Sequence, residues 1–285
     1  PFDHHAPTTL EAAIDLLAAG EGQAMALAGG SDLLLRMKAG VVAPRTVISL
    51  RRLTELQGLE FDQGQGLRIG ALVTLRELER SAALRAHYPA LAHAAEMMAS
   101  EQVRSFATIG GNLCNASPAA DLPPPLIALG AEAVLVSSPG ERTVPLEDFF
   151  LGPGESALAA GELLKAVRVP PPTGSAVYLR HTPRARMDIA VVSAAVAGRI
   201  EGSRCIEARI VLGAVAPVPL RAREAEALLT GRDLTPSVVD AAATAAAAEC
   251  APIDDVRGAA WYRRRMVKVL VARGMARLAV TEEQR

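Results

Sequence analysis

The sequence predicts an α+β chain, and three observations carry that prediction. The N-terminal half alternates helix and strand signals in two β/α units. Proline-rich "VPPPTG" (169–174) then punctuates the chain. Beyond it, "MDIAVVSAAVAGRI" (187–200) and "CIEARIVLGAV" (205–215) read as two long strands joined by Glu201, Gly202 and Ser203, an antiparallel hairpin followed by helical sequence. With 285 residues, half of them hydrophobic, the chain has apolar material for a large core and two or three subdomains.

In the first unit, Thr8 and Glu11 have capping-box spacing ahead of Ala12, Ala13, Ile14, Leu16 and Leu17, a stripe of helical period that predicts a helix over 9–19. "AMALA" (24–28) reads as a buried strand, Leu33 to Ala39 as a short helix and "TVISL" (46–50) as a second strand. In the second unit "LRIGAL" (67–72) is a strand, Thr74 and Glu77 repeat the capping-box spacing, and Tyr88–Pro89 interrupts the helical pattern before a helix through Met97 and Met98. "TIGGNLCNASPAAD" (108–121) is the most irregular polar stretch. Leu126 to Gly130 follows as a helix end, then "AEAVLV" (131–136) as a strand. The C-terminal helices are placed at 221–230, 236–249 and 259–280. The resulting units are 1–55, 56–172 and 173–285.

Composition removes several classes of function. The formal net charge is −1 and basic residues are dispersed apart from Arg263, Arg264 and Arg265, which argues against nucleic acid. Those three arginines read as a solvated helix face or a subunit contact. Cys114, Cys205 and Cys250 stand far apart with no C-x-x-C pair, so neither an iron–sulfur cluster, a zinc site nor a disulfide scaffold is expected within the chain. No apolar run approaches the ~20 residues needed to span a bilayer and no signal-peptide pattern opens the chain, so a cytoplasmic location is expected. "GQGLRIG" (64–70) misses the G-x-G-x-x-G spacing, and neither a P-loop nor a G-x-S-x-G elbow is present. The five histidines are scattered and read as surface or satisfied side chains.

Two glycine pairs remain. "AGGSD" (28–32) joins a strand to a helix, where a glycine admits positive φ, leaves no Cβ in a ligand's way, and lets consecutive amides converge on an anion beside a helix N-terminus. The plainer reading is a tight turn with Ser31 or Asp32 as a cap. In the second stretch Gly110–Gly111 is followed by Asn112, Asn115, Ser117 and Asp121, polar side chains in a segment that leaves backbone groups unpaired unless it is solvated or wraps a polar ligand. Together the two loops suit a diphosphate, with Asp121 accepting hydrogen bonds from sugar or ribityl hydroxyls. For Asp121 the alternative is a helix cap ahead of "LPPPLIAL".

"AGGSDLLLRMK" and "TIGGNLCNASPAADLPPPLIALGAE" resemble the two flavin-binding motifs of the FAD subunit of molybdenum hydroxylases. That family includes the medium subunits of carbon monoxide dehydrogenase-type enzymes and the flavin domain of xanthine dehydrogenase. The likeness continues in order through "GELLKAVRVP" (161–170), "RARMDIAVVSAAV" (184–196), "LGAVAPVPLRAREAEALLTG" (212–231) and "WYRRRMVKVLVARG" (261–274). It implies a vanillyl-alcohol-oxidase-type FAD-binding fold, with two α/β subdomains and a C-terminal domain of antiparallel sheet plus helices.

Carried over residue by residue, the resemblance sets the pyrophosphate against Ala28, Gly29, Gly30, Ser31 and Asp32 on one side and Thr108, Ile109, Gly110, Gly111 and Asn112 on the other. It places Asn115 and Asp121 at polar parts of the cofactor, and Leu164, Arg180, Asp188 and Ile189 near the isoalloxazine ring. Some carbon monoxide dehydrogenases have a tyrosine over the flavin where this chain has Ile189. The cysteine-bearing insertion of the benzoyl-CoA reductase branch is absent. Implied are non-covalent FAD, 2Fe-2S clusters on a small partner subunit, a molybdenum cofactor on a large one, a dimer of heterotrimers, and electrons passing through flavin to an external acceptor. No side chain of this chain is then needed as an acid, base or metal ligand. The alternatives are a free-standing FAD oxidoreductase of the same fold and a flavin-free scaffold subunit.

Overall fold

Strand β1 (Asp3–His5), helix α1 (Leu10–Ala19), strand β2 (Ala24–Leu27), helix α2 (Leu33–Lys38) and strand β3 (Thr46–Ser49) make a small parallel sheet of order β1-β3-β2. The structure is a computed structural model, and it describes residues 1–185 and 187–283. Helix α1 buries Leu10, Ala13 and Ile14 in a cluster with Ile48 and Leu50. Side chains of this size each contribute about 1.5–3 kcal/mol when withdrawn from water. The cap is Thr9, one residue later than the Thr8–Glu11 spacing predicts: its hydroxyl accepts from the Ala12 amide at 3.3 Å. Because Leu10 is itself buried in the core, the helix begins there, and the residue before it takes the cap.

A second sheet is antiparallel throughout. It is built from β4 (Leu59–Asp62), β5 (Gly66–Gly70), β6 (Glu132–Ser137), β7 (Gly140–Pro145) and β10 (Leu163–Val169), in the order β4-β5-β10-β6-β7. Strands β8 (Phe150–Gly152) and β9 (Glu155–Ser156) pair separately. Six short helices lie between β5 and β6: α3 (Leu75–Arg80), α4 (Ala82–His87), α5 (Pro89–Met97), α6 (Glu101–Arg104), α7 (Ile109–Cys114) and α8 (Pro123–Ala128). At α3 the capping box is complete, the Glu77 amide donating to Thr74 Oγ1 at 3.2 Å and the Thr74 amide to Glu77 Oε2 at 2.7 Å.

Helix α7 corrects the reading of 108–121 as the most irregular polar stretch, because its first half is helical. Ile109 and Leu113 are fully buried and pull the segment onto the core, while Thr108 caps it by accepting from the Gly111 amide. Asp121 is not a cap for α8, whose N-cap is Leu122 without a side-chain bond.

The third sheet carries the predicted hairpin. Strands β11 (Ser175–His181), β12 (Val192–Glu201), β13 (Arg204–Gly213) and β14 (Leu220–Arg221) lie in sequence order, antiparallel. The expected strand over 187–200 starts only at Val192, because Val192 pairs with His181 and the residues between them must turn the chain back. Met187 in that connection has φ 53, and Arg186 lies outside the described residues. Helices α9 (Arg223–Leu229), α10 (Pro236–Glu249) and α11 (Ala260–Glu283) complete a core with β12 and β13.

Arg263 is not on a solvated helix face: it is 3% exposed, pairs with Asp255 and donates to the Ala214 carbonyl oxygen at 2.8 Å. Asp255 is held below the usual carboxylate range, the hydrogen bonds and charge of Arg257 and Arg263 outweighing burial. Of the histidines, His181 bonds the Tyr262 hydroxyl at 3.0 Å and His87 stacks on Phe61. Among the described residues no helix is long and apolar enough to cross a membrane, and no cluster of His, Cys, Asp and Glu stands where a metal ion could be held.

Candidate functional site

The parallel sheet meets the second sheet across the two glycine pairs. Strand β2 delivers the chain to Ala28, and Gly29 passes so close to the 106–107 backbone that a Cβ would lie 1.9 Å from the Phe106 carbonyl oxygen. Gly30 has φ +80, the left-handed region that glycine enters without a Cβ penalty. Among the described residues, no protein acceptor is paired with the amides of Gly29, Gly30 or Ser31. Helix α2 follows, and its N-cap Asp32 makes no side-chain cap bond. Unpaired amides in a turn at a helix entry form a concavity suited to an anion.

At the second pair the amides are already used. Ile109 donates to the Val73 carbonyl oxygen at 3.0 Å, Gly110 to that of Ala71 at 2.9 Å, Gly111 to Thr108 Oγ1 at 3.0 Å and Asn112 to the Thr108 carbonyl oxygen at 3.0 Å. A Cβ on Gly110 would stand 2.6 Å from the Ala71 carbonyl oxygen. Gly110 thus lets α7 lie against the chain after β5, while a Cβ on Gly111 would meet only Thr108 Oγ1, at 3.1 Å.

Between the loops is a cavity of about 480 Å³, walled by Ala28 through Asp32 on one side and by Thr108, Gly110, Gly111, Cys114, Asn115 and Leu164 on the other. A second recess of about 410 Å³ shares Ala28, Gly29, Leu72 and Thr108 with it and continues past Arg51 and Phe106. The Asn115 side-chain amide reaches across to Asp32 Oδ1 at 3.5 Å, and Ser31 donates to Asp32 Oδ2 at 3.1 Å. Burial pushes the Cys114 thiol up to about 12, so it stands in this wall as a neutral, weakly nucleophilic group.

The structure thus gathers Ala28, Gly29, Gly30, Ser31, Asp32, Thr108, Gly110, Gly111, Asn115 and Leu164 around one space. Ile109 lies beneath it in the core, and Asn112 has a buried Oδ1 without a hydrogen-bond partner. Asp121 and Arg180 come together elsewhere, as an ion pair of 2.9 Å. Asp188 accepts from the Arg184 and Ile189 amides in the connection between β11 and β12, and these hydrogen bonds, with the Arg184 guanidinium, hold its carboxyl below the usual range. Ile189 is 47% exposed.

Sequence reasoning missed the wall at 158–163. Glu162 shapes that wall: it takes both Nε and Nη2 of Arg142 at 2.7 Å and the Ala159 amide at 2.8 Å. The Arg142 hydrogen bonds lower the Glu162 pKa. The partners are strand-separated, and no local signal links them. Arg36 on α2 also lines the cavity, legible only as the basic end of a short helix.

A strand-to-helix turn with open amides facing a second glycine-bearing helix, with an extended recess between, has the shape of a dinucleotide-binding fold of flavoprotein type. Residues 1–172 match the family described as the FAD binding domain in molybdopterin dehydrogenase, and residues 177–278 match the CO dehydrogenase flavoprotein C-terminal domain. The chain belongs to the family of FAD-binding medium subunits of molybdenum hydroxylases, and FAD is its cofactor. It is 36% identical over 277 residues to the carbon monoxide dehydrogenase medium chain of Afipia carboxidovorans, covering 97% of this chain and 96% of that one. The Escherichia coli xanthine dehydrogenase FAD-binding subunit is 32% identical over 271 residues, 94% and 92% of the two chains. In structure it is similar to carbon monoxide dehydrogenase from Hydrogenophaga pseudoflava, with TM-score 0.94, 36% identity and coverage of 98% and 97%. As a member of this family it is an oxidoreductase subunit.

Proposed function

We propose that this chain is the electron-transferring FAD subunit of a heterotrimeric molybdenum hydroxylase. The observation that carries the reading is the cavity between the glycine loops, with the unpaired amides of Gly29, Gly30 and Ser31 on one wall and the small residues Gly110 and Gly111 on the other. Those amides suit the pyrophosphate of FAD. Ala28, Asp32, Thr108, Ile109, Asn112 and Asn115 support the same segment, and Leu164 offers an apolar contact to the ring. In this reading Asp188 and Ile189 border the ring face from the 182–190 connection, and Asp121 and Arg180 act from behind it.

FAD supplies the redox chemistry, and the protein supplies position and electrostatics. Electrons arrive from 2Fe-2S clusters of a small subunit, after substrate oxidation at a molybdenum cofactor on a large subunit, and leave to an external acceptor. The assembly is a dimer of heterotrimers, and the chain divides at 55 and 172 into two cofactor-binding subdomains and a C-terminal domain. Attachment of FAD is non-covalent: the first loop offers Ser31 and Asp32 rather than a histidine or cysteine, and the half-buried Cys114 thiol, its pKa pushed up to about 12, is not activated.

Purified chain should be yellow, and acid precipitation should release all flavin as FAD; colour left in the pellet contradicts non-covalent binding. Co-expression with its genomic neighbours should yield a complex containing iron and molybdenum. Substrate-dependent flavin reduction by the chain alone would overturn the subunit reading in favour of a free-standing oxidoreductase.

A further inference from the structure

Away from the cavity walls, a buried polar cluster joins the connection between α7 and α8 to the third sheet. Asp121 is 6% exposed and both its oxygens are used: the Tyr178 hydroxyl donates to Oδ1 at 2.5 Å, and Arg180 Nη1 donates to Oδ2 at 2.9 Å. Tyr178 and Arg180 are two residues apart on β11, so both rise from one face of the sheet. Ser193 stands opposite Arg180 in the ladder; burial and the Asp121 charge push the Tyr178 hydroxyl pKa well up, and the Ser193 side chain, hydrogen-bonded to Tyr178, opposes them. Gly213 stands opposite Ser193, and a Cβ there would lie 2.4 Å from Ser193 Oγ. Three neighbouring strands therefore leave room for, or supply, the hydroxyls that lead to one carboxylate.

The connection anchored by that carboxylate begins in the cavity wall at Asn115. Along it the Ala116 carbonyl oxygen accepts from the Gly154 amide at 3.0 Å and the Pro118 carbonyl oxygen from the Ala214 amide at 2.8 Å. Ala116 and Ala214 have φ 46 and 62, a region alanine seldom enters, so the junction is held by its surroundings. Arg180 has no other acceptor among the described residues: Nε and Nη2 are buried without partners. Loss of the Asp121 charge would strand a buried cation.

We propose that Tyr178, supported by Ser193, is a positioning residue for the cofactor: its hydroxyl and the Arg180 guanidinium together hold Asp121, and that cluster fixes the connection leaving α7, whose Gly111 and Cys114 form the cavity wall. The inference rests on the FAD reading above. Burial raises the Asp121 pKa, opposed by the Arg180 charge and by the hydrogen bonds of Tyr178 and Arg180, the groups that face it. Removing the Tyr178 hydroxyl deletes one of the opposing effects, so Asp121 takes up its proton at higher pH. FAD affinity should fall as pH drops through that protonation.

The test is titration of apoprotein with FAD from neutral pH into the acid range, for wild type, Tyr178→Phe, Ser193→Ala and Asp121→Asn, with melting temperatures alongside. Wild type should lose affinity on the acid side. In Tyr178→Phe the loss should begin about one pH unit higher, leaving binding about tenfold weaker there. Ser193→Ala should shift the same limb less, and Asp121→Asn should bind weakly with no limb. The proposal is overturned if Tyr178→Phe keeps the wild-type limb, or weakens binding equally at every pH. Should Tyr178→Phe not fold, an unmoved limb in Ser193→Ala overturns it. A wild type that binds no FAD at any pH would instead overturn the underlying cofactor reading.

Discussion

The two glycine pairs look alike in sequence and do different physical work. At Gly29–Gly30 one residue permits a near contact with the Phe106 carbonyl, the other adopts a positive φ, and the amides are left without protein acceptors. At Gly110–Gly111 the amides are satisfied by the protein; both glycines border the cavity, but a Cβ on the first would collide with Ala71, whereas one on the second would meet only Thr108 Oγ1. The contrast teaches that a glycine pair marks a close approach, and that the approaching group can be backbone as readily as ligand. In the proposed FAD reading, anion recognition falls to the loop whose amides are left open among the described residues.

Substitutions can break or sharpen this contrast. The largest effect is expected from Gly29→Val, whose Cβ has no room beside the Phe106 carbonyl. FAD affinity should drop by more than about 100-fold, with destabilisation on the order of 3 kcal/mol from overpacking. Flavin titration and denaturant unfolding measure both, and near-native values would show that the 28–32 turn does not sit as described. Gly110→Ala is expected next, losing about 1–3 kcal/mol of stability against Ala71 and binding FAD more weakly only through that displacement. If its affinity falls while its unfolding midpoint stays fixed, Gly110 contacts the ligand rather than the packing.

Gly111→Ala separates the two effects by sign. Its Cβ meets only Thr108 Oγ1, at 3.1 Å, and the residue is helical, so alanine should add roughly 0.5–1 kcal/mol of stability while narrowing the cavity and weakening FAD severalfold. Equal or tighter flavin binding in this variant would move the cofactor away from α7. The smallest effect is expected from Asn115→Ala. Its contact with Asp32 is long and exposed, and deletion should change affinity by less than about threefold, below the loss of an ordinary hydrogen bond. A loss above tenfold would assign Asn115 a direct ligand contact.

Features set by neighbouring residues were legible in the sequence, and features set by distant ones were not. The Thr74–Glu77 capping box formed as written because its bonds lie within one turn. The hairpin of β12 and β13 followed from strand runs flanking the turn predicted at 201–203, though Glu201 pairs with Arg204 so that only Gly202 and Ser203 turn, and β12 starts late because its first partner lies on β11. Irregularity was predicted for 108–121 from glycines and short polar residues, while the helix over 109–114 depends on burying Ile109 and Leu113 beneath the loops. The Arg142–Glu162 pair behind the cavity wall and the Tyr178–Asp121–Arg180 cluster join residues from different sheets or connections. Amino-acid type along the chain carries no record of such meetings.

Strand β10 enters its sheet between β5 and β6, so Ala166 faces Gly70 on one side and Val134 on the other. The same strand brings Leu163 and Leu164 to the cavity. During synthesis, a nascent chain halted before β10 therefore has neither a closed sheet nor a complete cofactor wall, and long-range pairing of this kind forms slowly. On the proposed FAD reading, flavin loading is therefore expected only once β10 is available to the fold. Protease protection by added FAD on ribosome-arrested chains should appear only after residue 169 has left the exit tunnel, and earlier protection would show that the first glycine loop captures FAD alone.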